Sequence, residues 1–288
     1  MSDDLKKNTG LLLVEQESDF FAGALPYEER VGKGWKEWLP TKELQKIDGF
    51  ETFGCVSFSH NNCVETQINW MIAQSKLSAK TLTFLDHNGY LFEGLLNVSD
   101  RYLAKVSNTS KRGNSCQKVA DAGRHFGYVP ETLWAFPETK EWNEYYKEIP
   151  MEAMKMGKKF LDHFDISYEI IPKSQMKKHL KHAPLQIGSA TCPDWHNDEI
   201  IQSCDWRPTH ATMIYAGDGT YWSDFDHYNN YKKKLVWDYP IPFVMKIVVT
   251  PLFPKEQYVS GVDSTSNYDI SVYEESNSTY IWLKKKQD

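Results

Sequence analysis

The chain has 288 residues, long enough for one large compact domain or two small ones. Its 33 Lys and Arg against 39 Asp and Glu leave a formal charge of −6 with no block of either sign, which disfavours a nucleic-acid partner. Hydrophobic residues at 41% and aromatic ones at 14% supply a real core and exclude a disordered composition.

The first twenty residues are acidic and then basic, and their only apolar run is Leu11 to Val14, too short and wrongly flanked for a secretory signal. No window approaches the roughly eighteen apolar residues that span a bilayer. The expected location is therefore cytoplasmic, with no membrane partner. Cys55, Cys63, Cys116, Cys192 and Cys204 are odd in number and irregular in spacing, which argues against a disulfide framework and leaves at least one free thiol.

In chain order, residues 1–44 are polar with the aromatic pair Trp35 and Trp38, and read as an arm that docks on the body. From Cys55, apolar residues at Val64, Ile68, Met71 and Ile72 predict an amphipathic helix that starts near Gly54 and runs to about Ser75. A second helix has Asn114 or Ser115 as N-cap, Val119, Ala122 and Phe126 as its stripe, and Gly127 as its stop. Further helices fit 151–164 and 173–182. From Pro184 onward the texture turns to β-type runs at 185–187, 211–215, 221–225 and 244–249. The tail 251–288 reads as edge strands or a peripheral flap. Helices followed by strands indicate an α+β protein of two packed halves, about 45–170 helical and 171–250 β, with a cleft between them.

Cys55 falls in the first turn of its helix, where the dipole favours a thiolate; the plainer reading is a small buried thiol. Gly217-Asp218-Gly219 between two β runs is a hairpin signal. If the register is symmetric about Asp218, His210 and Asp226 become cross-strand partners on one face, and the carboxylate orients the imidazole. A one-residue slip would separate them. Cys192, His196, Cys204 and His210 have the residue types of a zinc site without a familiar spacing, so no metal and no cofactor is expected.

Cys55-Val56-Ser57-Phe58-Ser59 followed by Val64-Glu65 resembles the nucleophile helix of papain-like cysteine peptidases. Ser99-Asp100-Arg101-Tyr102-Leu103, Gly113-Asn114, the stretch Gly127 to Glu131, Ala183-Pro184-Leu185 and His210-Ala211 are similar to later segments of that family, over about 45–245. The resemblance implies a papain-like fold of two subdomains, Cys55 as nucleophile, His210 as general base and acid, and Asp226 as the residue that orients His210. It further implies that Gly113, Asn114 and Ser115 offer the backbone against which an extended peptide binds; the plainer reading of that turn is a helix N-cap. Three departures stand out. Val56 replaces an aromatic residue, and no cysteine stands just before the nucleophile. Asp226 replaces an amide and is followed by His227-Tyr228. The oxyanion-hole glutamine has no counterpart at its usual position, and Gln45 can serve only if a four-residue insertion intervenes.

The expected function is a cysteine endopeptidase acting on protein or peptide substrates. With only some fifty residues before Cys55, a full inhibitory pro-domain is not expected, and control would fall to compartment, a protein partner or the cleft itself. Two other readings fit the same residues: an inactive papain-like scaffold that binds or assembles, and a related thiol hydrolase, transglutaminase or cell-wall amidase. The short leader and the substitutions suggest a bacteriophage or bacterial member, with a virion association if phage-encoded.

Overall fold

The structure, a computed structural model, describes residues 10–12, 28–204, 207–228 and 230–252, and the backbone of 268–275 and 278–285. One long helix, α1 (Cys55–Ala73), runs between a set of shorter helices and a seven-stranded sheet. The helical side contains α2 (Ala79–His87), α3 (Asp100–Val106), α4 (Cys116–Phe126), α5 (Trp142–Tyr145) and α6 (Met151–Phe160). The hairpins β1 (Lys46–Ile47) with β2 (Phe50–Glu51), and β3 (Leu91–Phe92) with β4 (Leu95–Leu96), punctuate it.

The sheet is built from β5 (Phe164–Ile170), β6 (Leu185–Ser189), β7 (Ile200–Ile201), β8 (His210–Gly217), β9 (Tyr221–Phe225), β10 (Lys232–Val236) and β11 (Phe243–Pro251). Its order is β5-β11-β6-β8-β9-β10-β7, antiparallel throughout except for the β10–β7 pair. A last hairpin, β12 (Tyr268–Glu275) with β13 (Ser278–Lys285), forms a sheet of its own rather than an edge of the main one. No described helix is long and apolar enough to cross a membrane. The α+β class expected from the helix-then-strand order is what the chain adopts.

The start of α1 lies at Cys55, as the pattern predicts, but the helix is not amphipathic. Every residue from Cys55 to Met71 is buried, because the sheet covers one face and the helical half the other. Its polar residues act as fasteners. Gln67 donates to the Ile247 carbonyl (3.0 Å) and accepts from the Val249 N–H (3.2 Å). On the other side Glu65 accepts from the Val98 N–H (2.8 Å), Asn69 from the Leu96 N–H (2.7 Å), and Asn61 donates to Asp100 (2.8 Å). Each bond satisfies a group that would otherwise be stranded in the core, a cost of about 1–3 kcal/mol apiece. Burial of Val64 and Ile68, both fully enclosed, adds about 2 kcal/mol each.

In α4, Ser115 is the N-cap, its side chain accepting from the Lys118 N–H, and Gly127 ends the helix. Asn114 instead ties its own turn, donating to the Ser107 carbonyl (2.9 Å). The helix expected over 151–164 stops at Phe160. Phe164, Ile166, Tyr168 and Ile170 alternate, and the segment they define is β5, paired with β11. The helix expected over 173–182 shrinks to a 3-10 turn (Lys173–Gln175) and the one-turn α7 (Met176–His179). Residues 28–44 pack on the body through Trp35, which is fully buried, stacks edge-on against Trp70 and donates to the Leu180 carbonyl (2.7 Å).

Candidate active site

Cys55 opens α1, and His210 opens β8, which lies directly against that helix. The Ala211 backbone N–H, next to His210, is near enough to the Cys55 sulfur to favour its ionised form. The hairpin therefore brings nucleophile and base candidates to one place. Cys55 is fully buried, and that burial pushes its thiol well above the ordinary value; the Ala211 N–H pulls it down, while charges at Glu51 and Asp226 push it further up. The helix-terminus effect expected to favour a thiolate is outweighed here by desolvation.

His210 and Asp226 meet, though not as predicted. His210 pairs with Ser189 of β6, not with Asp226. A bulge at Tyr215 shifts the β8–β9 register, so that Gly217 faces Trp222 while Met213 faces Phe225. The turn is centred later than Asp218, whose side chain accepts from the Thr220 and Tyr221 N–H groups at 2.7 Å each. Asp226 thus lies just beyond β9, and its side chain reaches diagonally to His210 Nε2 at 2.8 Å. Both residues are fully enclosed. With Nε2 on the carboxylate, Nδ1 is left without a hydrogen-bond partner among the described residues, open to receive a proton.

Asp226 is held from four directions. Oδ1 accepts from His210 and from the His227 N–H (2.7 Å); Oδ2 accepts from Trp195 Nε1 (2.9 Å) and from the buried Lys233 ammonium. Burial alone would raise its carboxyl, but Lys233 first, then His210 and His227, hold it well below the usual carboxylate range. Neighbouring Asp224 goes the other way, pushed up to about 8 by burial and by the charge on Asp226. His227 is pushed down to about 3 by burial. Its ring lies 4.8 Å from that of His210, and Tyr228 lies 5.4 Å from it. Ligand-type atoms of His210, Asp226 and His227 come within 4.8 Å of one another, but four donors, one an ammonium, already saturate Asp226. A carboxylate so fully engaged does not suit a metal ion.

Cys192 and Cys204 are joined in a disulfide, which overturns the expectation of a chain without disulfides and removes both from the zinc arrangement considered above. Cys55, Cys63 and Cys116 are free and buried. The bridged loop carries Trp195, the donor to Asp226. Neither Trp195 nor Lys233 was singled out from the sequence. A signal existed for the lysine: in Lys232–Val236 it shares a face with Leu235, and both are fully buried.

Gln45 is buried beside this cluster. Its backbone N–H donates to the His227 carbonyl (2.9 Å), and the β1–β2 hairpin supplies the insertion that separates it from Cys55. Its side-chain amide donates to Glu51, and more weakly to the Tyr228 hydroxyl at 3.4 Å. A cavity of about 300 Å³ opens beyond Phe58, lined by Glu43, Asp100, Arg101 and Glu131 among others; neither Cys55 nor His210 lines it.

The backbone of Gly113 and Asn114 is already engaged. Gly10 accepts from the Asn114 N–H and Leu12 donates to the Asn114 carbonyl, both at 2.7 Å, in a parallel bridge. Leu11 donates to the Thr209 carbonyl at 3.1 Å, one residue before His210. Gly10 and Gly113 meet with no room for side chains: a Cβ on Gly10 would lie 2.2 Å from the Phe53 carbonyl oxygen, and one on Gly113 would lie 1.7 Å from the Gly10 oxygen. Ser115 caps α4 and, among the described residues, makes no strand-like contact of this kind.

No family model matches the chain, and no curated protein matches it by sequence. The likeness lies with solved structures. Xylellain, a cysteine protease from Xylella fastidiosa, superposes with a TM-score of 0.57 at 12% identity, over 84% of this chain and 96% of that one. A digestive procathepsin L2 from the larval midgut of Tenebrio molitor gives 0.55 at 12%, over 87% and 80%. The Amb a 11 cysteine protease of ragweed pollen, in its proform, gives 0.50 at 14%, over 80% and 68%. Plant, insect and bacterial proteins are all represented, so the likeness carries no sign of a phage or bacterial origin. What it does show is the architecture: a helical half and a sheet half around one buried helix, the fold of papain-like cysteine proteases.

Proposed function

We propose that the protein is a cysteine endopeptidase using Cys55, His210 and Asp226. The observation that carries this reading is the pairing at the head of α1. There the helix that Cys55 opens packs against the strand that His210 opens, and His210 turns Nε2 to Asp226 and leaves Nδ1 open. In this scheme the sulfur attacks a peptide carbonyl carbon as its proton passes to His210 Nδ1. The leaving amine takes that proton as the C–N bond breaks. Water then hydrolyses the thioester, returning a carboxylic acid and the free thiol. The Cys55 N–H, at a helix start without an intrahelical acceptor, is one donor for the developing oxyanion, and the Gln45 amide is the second.

The substrate is an extended protein or peptide segment. Gly10–Leu12 support this, because they already lie along Asn114 and Thr209 as a strand of peptide. The same contact makes the conformation described a closed one. The Cys192–Cys204 disulfide favours an oxidising compartment over the cytosol. A second reading, a scaffold without turnover, is favoured by Glu51, which holds the Gln45 amide away from other work.

The deciding experiment measures iodoacetamide alkylation of Cys55 and hydrolysis of denatured casein for the wild type and for Cys55→Ala and His210→Ala. The peptidase reading expects casein cleavage lost in both variants and Cys55 alkylation slowed by His210→Ala. Alkylation indifferent to His210, with no casein cleavage in any protein, selects the scaffold.

A further inference from the structure

Lys233 is a fully buried lysine with no part in the steps above. It lies on β10 across from Asp224, its ammonium bonds Asp226 Oδ2, and it sits 4.6 Å from the centre of the Trp195 ring. The opposite oxygen of the same carboxylate takes His210 Nε2. A lone buried ammonium or a lone buried carboxylate is costly, and each is tolerable only because of the other. The other titratable groups around the pair are His227 and Tyr228 over the His210 ring, Asp224 and His196 beside Asp226 and Lys233, and Cys55 and Glu51 on the helix side.

We propose that Lys233 is a positioning residue for the reaction: with Asp226 it forms an ion pair of zero net charge that orients His210 as a neutral hydrogen-bond acceptor. The resemblance to papain-like peptidases places an amide where Asp226 stands. An amide is neutral, whereas a bare carboxylate would add a full negative charge against the imidazole. Lys233 cancels that charge, leaving the orienting bond and removing most of the extra stabilisation of the imidazolium. The inference rests on the reading of His210 as the base of Cys55. Its physical consequence has one sign. Removing a buried positive charge makes every nearby group hold its proton to higher pH, so both limbs of a pH profile move the same way.

The test compares wild type, Lys233→Met, Asp226→Asn and the double variant. The pH profile of Cys55 alkylation by iodoacetamide is one readout. The other is the NMR titration of the His210 ring, recorded in a Cys55→Ala background so that it needs no chemistry at sulfur. Lys233→Met should move both alkylation limbs, and the His210 midpoint, upward by about one pH unit or more. Asp226→Asn, which strands the ammonium, should move them downward. The double variant should return to the wild-type profile and melting temperature, since it replaces one neutral pair by another. If a single variant does not fold, recovery of folding and profile in the double variant supports the pair, and a double variant as damaged as the singles combined refutes it. A His210 midpoint unmoved by Lys233→Met also overturns the proposal. Absence of any selective alkylation of wild-type Cys55 overturns the peptidase reading instead, and the NMR titration still decides the role of Lys233.

Discussion

Gly10→Ala should open the cleft without touching any residue of the proposed chemistry. Among the described residues, the backbone hydrogen bonds to Asn114 and Thr209 hold Gly10–Leu12 at about 1 kcal/mol net each, and burial of Leu11 adds about 2 kcal/mol. Ordering three residues costs about 1–2 kcal/mol apiece, so these contacts leave a net hold of about 2 kcal/mol. Gly10 has φ +110°, and its new Cβ would meet the Phe53 carbonyl oxygen at 2.2 Å. The left-handed conformation alone costs about 1–2 kcal/mol in a residue with a side chain. The overlap with rigid backbone adds enough to tip the balance toward release. Because 1.4 kcal/mol is a factor of ten, Cys55 alkylation by iodoacetamide should rise about tenfold, with casein hydrolysis rising in step. Gly113→Ala, whose Cβ would strike the Gly10 oxygen at 1.7 Å, should act in the same direction. The assay is a time course read by mass spectrometry at Cys55, with the melting temperature as a folding control. An unchanged rate in a folded Gly10→Ala protein would refute the idea that this segment limits access.

Gln45→Ala should lower casein hydrolysis about a hundredfold while leaving Cys55 alkylation near wild type, since the amide is asked to stabilise an oxyanion and not to activate sulfur. Equal losses in both assays would show instead that Gln45 only supports the fold. Glu131 is pushed up to about 8, first by burial and then by Glu43, whereas an unfolded glutamate titrates near ~4.3. Its contribution is therefore complete below the unfolded value and is lost as pH rises through the folded one. Urea midpoints should fall between pH 5 and pH 8, and fall less in Glu131→Gln; the same decline in the variant would assign the effect elsewhere. Cys192→Ser with Cys204→Ser removes a cross-link closing a loop of about a dozen residues, and should cost about 2–3 kcal/mol in chemical denaturation. It should also lower casein hydrolysis, because Trp195 rides on that loop.

Local signals placed the centre of this molecule well. The glycine before Cys55 and the spacing Val64, Ile68, Met71 were enough to begin α1 at the right residue. The same spacing could not reveal that Asn61, Glu65, Gln67 and Asn69 are also buried, because their partners, the Asp100 side chain for Asn61 and backbone groups for the others, lie 27 to 182 residues away. Asp226 reached His210 by a route that symmetric pairing did not describe. A bulge at Tyr215 is a property of the β8–β9 pair in its sheet, and no residue in Gly217-Asp218-Gly219 announces it. β5 was legible in its alternation and was masked by the helical residues just before it. The grip of Lys233 on Asp226 was harder to see, since three consecutive lysines read as a solvated strand unless the inward face is known.

The sulfur atoms of this chain make opposite demands on their surroundings. The clasp between Cys192 and Cys204 must stay oxidised to hold the loop that steadies Asp226, whereas Cys55 must stay reduced to attack anything. A reductant added to protect the proposed nucleophile therefore works against the frame of the proposed base. Activity titrated against a small thiol should climb as Cys55 is recovered and then decline as the clasp opens, so that a handling condition routine for other thiol enzymes becomes a variable to be tuned for this one.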